Sequence, residues 1–196
     1  MGGHEVTIIG ATTWGTTLGL VLARKDVPVT LLTRTREEAE ELGSNREHRR
    51  FLPGVPFPAC LNVSYRPEDA LKEAGMVVLA VPSLSFRDNV KRYRENISGE
   101  PLVLCATKGL DMETGSRMSQ VLEEELPDRL HSRICVLSGP NLAGEIAEGK
   151  PASTVVAARD PETASAAQSL LMSPIFRVYT NEDTVGVEMG GALKNI

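Results

Sequence analysis

The stretch Val6-Thr7-Ile8-Ile9-Gly10-Ala11-Thr12-Thr13-Trp14-Gly15 decides the fold class of this chain. Four residues rich in β propensity lead into a glycine-containing turn, and the residues after the turn, up to Arg24, have a helical pattern. A strand that turns directly into a helix points backbone N–H groups and the positive end of the helix dipole at one spot, which suits a phosphate group. The sequence therefore predicts the opening of a dinucleotide-binding βαβ unit.

The turn departs at one position from the G-x-G-x-x-G fingerprint of such units. Gly10 and Gly15 occupy the first and third glycine positions, but Thr12 stands in place of the second. The second glycine normally lets the backbone approach the pyrophosphate closely. We therefore expect Thr12 to weaken or shift pyrophosphate binding, and the change Thr12→Gly to strengthen it.

The composition is that of a globular protein. The chain has 196 residues, of which 41% are hydrophobic and 24% are charged, so it fits one large domain, or one domain and the start of another. The formal net charge is -5 and the basic residues are scattered. This balance argues against a nucleic-acid or anionic-membrane partner.

The three cysteines, Cys60, Cys105 and Cys135, show no C-x-x-C spacing. Cys105 and Cys135 stand in apolar runs, where buried free thiols are expected, and free thiols indicate a reducing compartment. No apolar run approaches the roughly 18 residues of a membrane span, and no signal peptide precedes Val6. We therefore expect a cytoplasmic protein with no membrane partner and no metal site.

Apolar strand-like runs alternate with helical patterns along the whole chain. This alternation predicts an α/β fold with a Rossmann-like, doubly wound, mostly parallel sheet and helices on both faces. The predicted strands are 6–9, 29–33, 76–81, 102–107, 134–138, 153–157 and 176–179. The predicted helices are 14–24, 36–42, 68–73, 84–94, 115–125, 142–148, 162–171 and 183–196. Residues 44–58, which contain three prolines, are predicted to form a loop.

The last predicted helix ends in small and apolar residues, with no cap or stop signal. We expect residues 1–181 to form the dinucleotide-binding Rossmann domain. Residues 182–196 are expected to be the truncated start of a linking helix that leads to a C-terminal helical substrate domain.

The end of the second predicted strand bears on the choice of cofactor. An acidic residue there binds the ribose 2′-hydroxyl of NAD, whereas an arginine accommodates the 2′-phosphate of NADP. Here Thr33 and Arg34 are followed by Arg36, and no acidic residue occurs before Glu37. This favours NADP, or at least tolerance of it, with solvated arginines at a helix start as the alternative.

Candidate site residues follow three further predicted strands, and ligands of doubly wound folds bind beyond the carboxyl ends of the strands. Pro82 follows one strand, Lys108 the next, and Gly139 and Asn141 the third. Each has a simpler interpretation: a plain loop for Pro82, a lysine that extends to solvent for Lys108, and a helix N-cap for Asn141. Taken alone, Lys108 fits the simpler interpretation better.

Lys194 follows Gly190 and Gly191 by one helical turn. Glycine weakens a helix by about 1 kcal/mol, so this pair is expected to serve close packing. A lysine in a partly desolvated cleft has a lowered pKa and can exchange a proton near neutrality. The alternative is a surface lysine.

In this order, the motifs resemble the bacterial type of NAD(P)-dependent glycerol-3-phosphate dehydrogenase. The matching segments are spread over nearly the whole length of the chain: 10–18, Arg34, 45–54, 80–83, 107–109, 138–143 with Glu145, and 187–195. The resemblance implies an oxidoreductase that interconverts dihydroxyacetone phosphate and sn-glycerol 3-phosphate with NAD or NADP, in glycerophospholipid synthesis. It implies a small phosphorylated substrate as partner and is compatible with a homodimer.

The resemblance also implies roles for single residues. The cofactor-contacting positions are Thr13, Trp14, Arg34 and Ala143. Lys108 matches a residue shared by cofactor and substrate, and Gly139 and Asn141 match substrate contacts, although the family usually has serine or threonine at position 141. Lys194 matches the catalytic general acid/base, with Lys108 stabilising negative charge. Without the helical C-terminal domain of the family, the chain is expected to bind a dinucleotide but not to turn over substrate.

Two alternatives remain open. Related reductases of ketopantoate or 3-hydroxy acids also combine a Rossmann domain with a lysine on the linking helix, although Trp14 and the segments 107–109 and 138–140 favour the first family. The second alternative, suggested by Thr12 and the short chain, is a dinucleotide-binding module without catalysis.

Overall fold

The computed structural model describes residues 5–194 and contains eight strands in one sheet. The strands are β1 (Val6–Ile9), β2 (Val29–Leu32), β3 (Leu61–Ser64), β4 (Met76–Leu79), β5 (Leu102–Cys105), β6 (Ile134–Ser138), β7 (Ala152–Ala157) and β8 (Phe176–Asn181). Their order is β3-β2-β1-β4-β5-β6-β7-β8. The pairs from β3 to β6 are parallel, β7 is antiparallel to β6, and β8 is parallel to β7. The predicted doubly wound, mostly parallel sheet is confirmed.

Eight α-helices within residues 5–194 cover this sheet. They are α1 (Thr13–Ala23), α2 (Arg36–Asn45), α3 (Pro67–Ala70), α4 (Phe86–Tyr93), α5 (Met118–Glu125), α6 (Ala143–Ala147), α7 (Pro161–Leu171) and α8 (Thr184–Leu193). Strand side chains alternate between two buried clusters, one with α1, α6 and α7, the other with α3, α4 and α5. Helices on both faces explain why the central strands are apolar throughout rather than alternating.

The sequence prediction missed strand β3. This strand lies at the edge of the sheet, and only Leu61 of its four residues is buried. The prediction also ended α2 too early. The helix continues to Asn45, and the next residue, Arg46, adopts a left-handed conformation with a φ of 50°. The Arg46 guanidinium then donates hydrogen bonds to the carbonyls of Pro58 and Leu61. These bonds guide the intervening loop into β3.

Three predicted strands are shorter than expected at their carboxyl ends. β2, β4 and β5 end at Leu32, Leu79 and Cys105, although the next residues, Thr33, Ala80 and Ala106, still donate backbone hydrogen bonds to neighbouring strands. The predicted helix 183–196 is observed as α8, which packs on β6 and β7; positions 195 and 196 lie outside the described residues. No helix within residues 5–194 is long and apolar enough to cross a membrane.

The cysteines are free thiols in the described part of the chain. Cys105 and Cys135 are buried, as predicted. Burial raises the pKa of the Cys135 thiol to about 12, and burial together with the nearby carboxylate of Glu188 raises that of Cys105 further. Both thiols therefore remain protonated at neutral pH and act as small apolar side chains.

Candidate active site

The turn between β1 and α1 lies against the end of β4, and two glycines make this approach possible. Gly10 has a φ of 113°, and a Cβ there would lie 2.7 Å from the carbonyl oxygen of Ala80. A Cβ on Gly15 would overlap the carbonyl oxygen of Gly10. The two glycines of the fingerprint thus have the roles expected from the sequence, a tight turn and close packing.

Thr12 is part of the structure of the turn. Its hydroxyl accepts a hydrogen bond from the Gly15 N–H at 3.0 Å, which makes Thr12 the N-cap of α1. The same hydroxyl donates to the Ala80 carbonyl at 2.8 Å. Sequence analysis treated Thr12 as a steric obstacle, but the side chain is engaged by the protein itself. This geometry removes the reason to expect stronger pyrophosphate binding from Thr12→Gly.

A cavity of about 390 Å³ opens at the carboxyl ends of the strands, beside this turn. The residues lining it include seven that sequence analysis selected: Thr12, Thr13, Trp14, Pro82, Lys108, Asn141 and Ala143. They come from four separate parts of the chain and meet because the parallel strands end at the same edge of the sheet. We refer to this cavity as the main crevice.

A second cavity of about 240 Å³ lies on the other side of the turn. Its lining includes Gly10, Arg34 and Pro82, which sequence analysis selected, together with Arg50 and Phe51, which it did not. The Arg50 guanidinium carbon lies 5.1 Å from the centre of the Phe51 ring. We refer to this cavity as the arginine pocket.

The loop that carries Arg50 and Phe51 is attached to the glycine turn. The Nε2 atom of His48 lies 3.0 Å from the carbonyl oxygen of Ala11, and the rings of His48 and Phe51 are 4.6 Å apart between centroids. This attachment depends on tertiary structure. The resemblance covers residues 45–54, but no local pattern in the loop sequence gave Arg50 or Phe51 a role in a site.

The arginine pocket also contains an acidic residue. Glu38 lines the pocket, and its carboxylate accepts a hydrogen bond from the backbone N–H of Arg34 at 3.2 Å. Two guanidinium groups and one carboxylate therefore surround this space. The arginines suit a phosphate, whereas Glu38 suits a hydroxyl.

Lys108 lies at the end of β5 and points along the main crevice. Its ammonium group donates a hydrogen bond of 2.7 Å to the carbonyl oxygen of Gly139, beyond the end of β6. The side chain is half-buried, and this burial lowers its pKa, as does the positive charge of Lys194. The simpler interpretation, a lysine that merely extends to solvent, is therefore wrong.

Asn141 does not cap α6, because the residue before that helix is Leu142. Instead, the Asn141 amide donates to the Ser153 carbonyl at 2.8 Å and accepts from the Thr154 hydroxyl at 3.1 Å. These bonds to β7 hold the residue at the rim of the main crevice. The N-cap interpretation of Asn141 is thus wrong.

Helix α8 approaches the end of β6 through Gly191. A Cβ on this residue would overlap the Ser138 hydroxyl and would lie 3.5 Å from Cγ of Lys108. Nothing in the described part of the chain lies within 4 Å of the corresponding position on Gly190. Only one of the two glycines therefore serves the predicted close packing.

Lys194 follows α8 directly and is exposed. Sequence analysis placed it in a partly desolvated cleft, which the structure of residues 5–194 does not provide. Its charge is nevertheless close enough to Lys108 to lower the pKa of that lysine. The two lysines selected from the sequence thus lie near each other.

The described residues offer no ready place for a metal ion. Within 5–194, no group of three or more His, Cys, Asp and Glu side chains is arranged to hold one.

Known proteins resemble this chain over most of its length. Residues 5–164 match the family model described as NAD-dependent glycerol-3-phosphate dehydrogenase N-terminus. A relative from Dehalococcoides mccartyi, named glycerol-3-phosphate dehydrogenase (NAD(P)+), is 48% identical over 193 residues, which cover 98% of this chain and 54% of the relative. This chain thus spans about half the length of that relative.

Solved structures agree with the sequence comparison. A glycerol-3-phosphate dehydrogenase from Coxiella burnetii gives a TM-score of 0.90 at 32% identity, covering 98% of this chain and 58% of that one. A ketopantoate reductase from Ralstonia eutropha gives 0.68 at 16% identity, covering 94% and 58%, which shows a shared fold only. Because the family model matches most of its residues, the chain belongs to the NAD-dependent glycerol-3-phosphate dehydrogenase family and corresponds to the N-terminal part of its members.

Proposed function

We propose that this chain is the cofactor-binding part of an enzyme that interconverts dihydroxyacetone phosphate and sn-glycerol 3-phosphate with NAD or NADP, in glycerophospholipid synthesis. The observation that carries the proposal is the main crevice, where Thr13, Trp14 and Ala143 meet Lys108 and Asn141. Membership of the family supports the same function. Ketopantoate reduction has only a shared fold in its favour.

The residues around the glycine turn fit a dinucleotide. The first-turn N–H groups of α1 can approach a pyrophosphate, apart from that of Gly15, which donates to Thr12. The indole N–H of Trp14 is buried and has no acceptor among the described residues. Pro82 separates the main crevice from the arginine pocket and contributes to both, as expected for one long ligand that occupies the two spaces.

Two lysines supply the charge that carbonyl reduction requires. The bound nicotinamide supplies the hydride for reduction and takes it up in the reverse direction. Lys194 gives a proton to the C2 oxygen of dihydroxyacetone phosphate, and Lys108 stabilises the negative charge that develops on this oxygen. Gly139 and Asn141 contact the substrate at the rim of the crevice.

The arginine pocket determines the choice between the two cofactors. Arg34 and Arg50 bind the 2′-phosphate of NADP, while Glu38 accepts a hydrogen bond from the 2′-hydroxyl of NAD. Because the pocket holds two guanidinium groups and only one carboxylate, it favours NADP but can also bind NAD.

Calorimetric titration of the chain with NADPH and with NADH tests cofactor binding. Micromolar binding of either supports the proposal, and tighter binding of NADPH supports the role given to the arginine pocket. If the chain bound neither cofactor, the cofactor-binding function would be overturned. The chain would then be a member of the family that lacks the family's activity.

We further propose that α8 begins the linking helix to a C-terminal helical substrate domain, in a cytoplasmic protein whose full-length form is a homodimer. The isolated chain should then bind cofactor without turnover. The full-length protein should oxidise NAD(P)H with dihydroxyacetone phosphate. Oxidation with ketopantoate alone would favour the related reductases, and cofactor binding without turnover of either substrate would favour a non-catalytic module. Light scattering measures the oligomeric state.

A further inference from the structure

Glu188 connects α8 to the start of α5, across a sequence separation of 69 residues. One carboxylate oxygen accepts a hydrogen bond from the Ser119 N–H at 2.8 Å. The other accepts from the Ser119 hydroxyl at 2.6 Å and from the Arg117 guanidinium at 2.5 Å. The side chain of Glu188 is only 8% exposed, so these partners replace the water that a carboxylate would otherwise bind.

This carboxylate completes the N-terminus of α5. Arg117 precedes the helix and has no side-chain acceptor for the free N–H groups of the first turn. Glu188 provides that acceptor from another helix, and its negative charge lies at the positive end of the α5 dipole. Charge-assisted hydrogen bonds of this kind are about twice as strong as neutral ones, so the connection restrains α8 as well as capping α5.

A second contact fixes α8 from the same side. Gly191 lies one turn after Glu188 and packs directly on the Ser138 hydroxyl. Lys194 lies one further turn along the chain, and residues three apart project from neighbouring positions on a helix. With Glu188 held at α5 and Gly191 at β6, both the rotation of α8 and its distance from the sheet are restrained. The direction in which Lys194 leaves the helix follows from these restraints.

We propose that Glu188 is a positioning residue for the reaction, because its carboxylate holds α8 in the rotation that brings Lys194 to Lys108. This inference rests on the proposed function for the roles of the two lysines. Glu188 itself contacts Arg117 and Ser119. It lines a small space that Lys108 also lines, but it does not line the main crevice. Its effect on catalysis is therefore transmitted through α8.

The pKa of Lys108 reports the position of Lys194 without any substrate or cofactor. Burial and the charge of Lys194 both lower it. Removal of a nearby carboxylate would, by electrostatics alone, lower the pKa of a lysine further. If Glu188 positions Lys194, its loss instead raises the pKa of Lys108, because Lys194 moves away. The sign of the change separates the two effects.

The experiment is an NMR titration of the lysine side chains in the 196-residue chain, with Lys108→Arg to assign the signal. Glu188→Gln and Lys194→Met should each raise the pKa of Lys108. In the Glu188→Gln background, Lys194→Met should raise this pKa little further. Glu188→Asp keeps the charge but shortens the reach, and should act in the same direction. Glu182→Gln is the matched control, since Glu182 is an exposed carboxylate that precedes α8; it should leave the Lys108 pKa unchanged.

A Lys108 pKa that falls or stays constant in Glu188→Gln and Glu188→Asp would overturn the positioning role. So would an undiminished effect of Lys194→Met in the Glu188→Gln background. These outcomes do not depend on cofactor binding or turnover, so they are distinct from a failure of the proposed function. In the full-length enzyme, Glu188→Gln should lower kcat by about 10²-fold at a nearly constant KM for cofactor. An equal loss in Glu182→Gln would contradict the assignment.

Discussion

The ammonium group of Lys108 donates a hydrogen bond of 2.7 Å to the carbonyl oxygen of Gly139. This bond joins the segments that follow β5 and β6, beside the main crevice that Lys108 lines. The acceptor is a neutral carbonyl, so the positive charge of Lys108 is not neutralised by this contact. A half-buried cation in this state is available to an anionic ligand or to negative charge that develops during a reaction.

In Lys108→Met, the free energy of unfolding is expected to increase less toward alkaline pH than it does in the wild type. The pKa of Lys108 in the folded chain lies below the 10.5 of a free lysine. Between these two values the unfolded chain binds more protons than the folded chain, so the free energy of unfolding increases with pH. Methionine does not titrate and removes this contribution.

Urea denaturation of both proteins, in steps from neutral pH to about 10.5, measures the effect. The stability difference between wild type and Lys108→Met should change with pH in favour of the wild type. Titrating groups that do not interact with Lys108 are shared by the two proteins and cancel in the difference. A difference that is constant across this range would contradict the lowered pKa.

Thr12→Ala is expected to lower the free energy of unfolding by about 1 kcal/mol, because the N-cap of α1 is lost. The Ala80 carbonyl also loses a donor, so NADPH binding should weaken as the turn loosens. Thr12→Ser keeps the hydroxyl and should retain both properties. Thr12→Gly should bind NADPH no more tightly than the wild type; tighter binding in calorimetry would show that the threonine does obstruct the pyrophosphate.

The fold was largely predictable, and the exceptions have physical causes. Central strands such as β1 and β4 are buried on both faces and therefore appear as continuous apolar runs. The edge strand β3 lacks this pattern because most of its residues are partly or fully exposed. Its position also depends on the hydrogen bonds of the Arg46 guanidinium to the loop before β3 and to Leu61. Such bonds cannot be predicted from hydrophobic periodicity.

The site was predictable only where it lies on strand ends. Lys108 and Asn141 follow buried strands, so the sheet itself brings them together. Arg50 and Phe51 belong to a loop whose position depends on the contact of His48 with the glycine turn. Long-range contacts of this kind leave no spacing that the sequence alone could reveal.

Gly191→Ala is expected to destabilise the chain by about 1–3 kcal/mol, since the new methyl group would overlap the Ser138 hydroxyl and force α8 from the sheet. Gly190→Ala is the matched control on the same helix. Its Cβ would enter open space among the described residues, and alanine favours a helix over glycine by up to about 1 kcal/mol. Thermal unfolding of the two variants should give shifts of opposite sign, and equal shifts would contradict the packing of α8 on β6.

Lys194→Ala in the full-length protein is expected to lower kcat by about 10²–10⁴-fold, the usual contribution of general acid–base catalysis. Affinity for NADPH should change little, because the lysine is exposed and lines neither of the two cavities. Steady-state kinetics with dihydroxyacetone phosphate and calorimetry with NADPH measure the two quantities. Near-normal turnover would remove Lys194 from the mechanism.

Arg34→Ala and Arg50→Ala are each expected to weaken NADPH binding by roughly ten- to a hundredfold relative to NADH, because hydrogen bonds to a charged group contribute roughly 1.5–3 kcal/mol. The 2′-phosphate is the only difference between the two cofactors, so the ratio of their dissociation constants isolates its contacts. Glu38→Gln should shift the ratio the other way, since it removes a negative charge from the same pocket. If all three variants kept the wild-type ratio, the 2′-phosphate would have to bind elsewhere, and the arginine pocket would lose its role in cofactor choice.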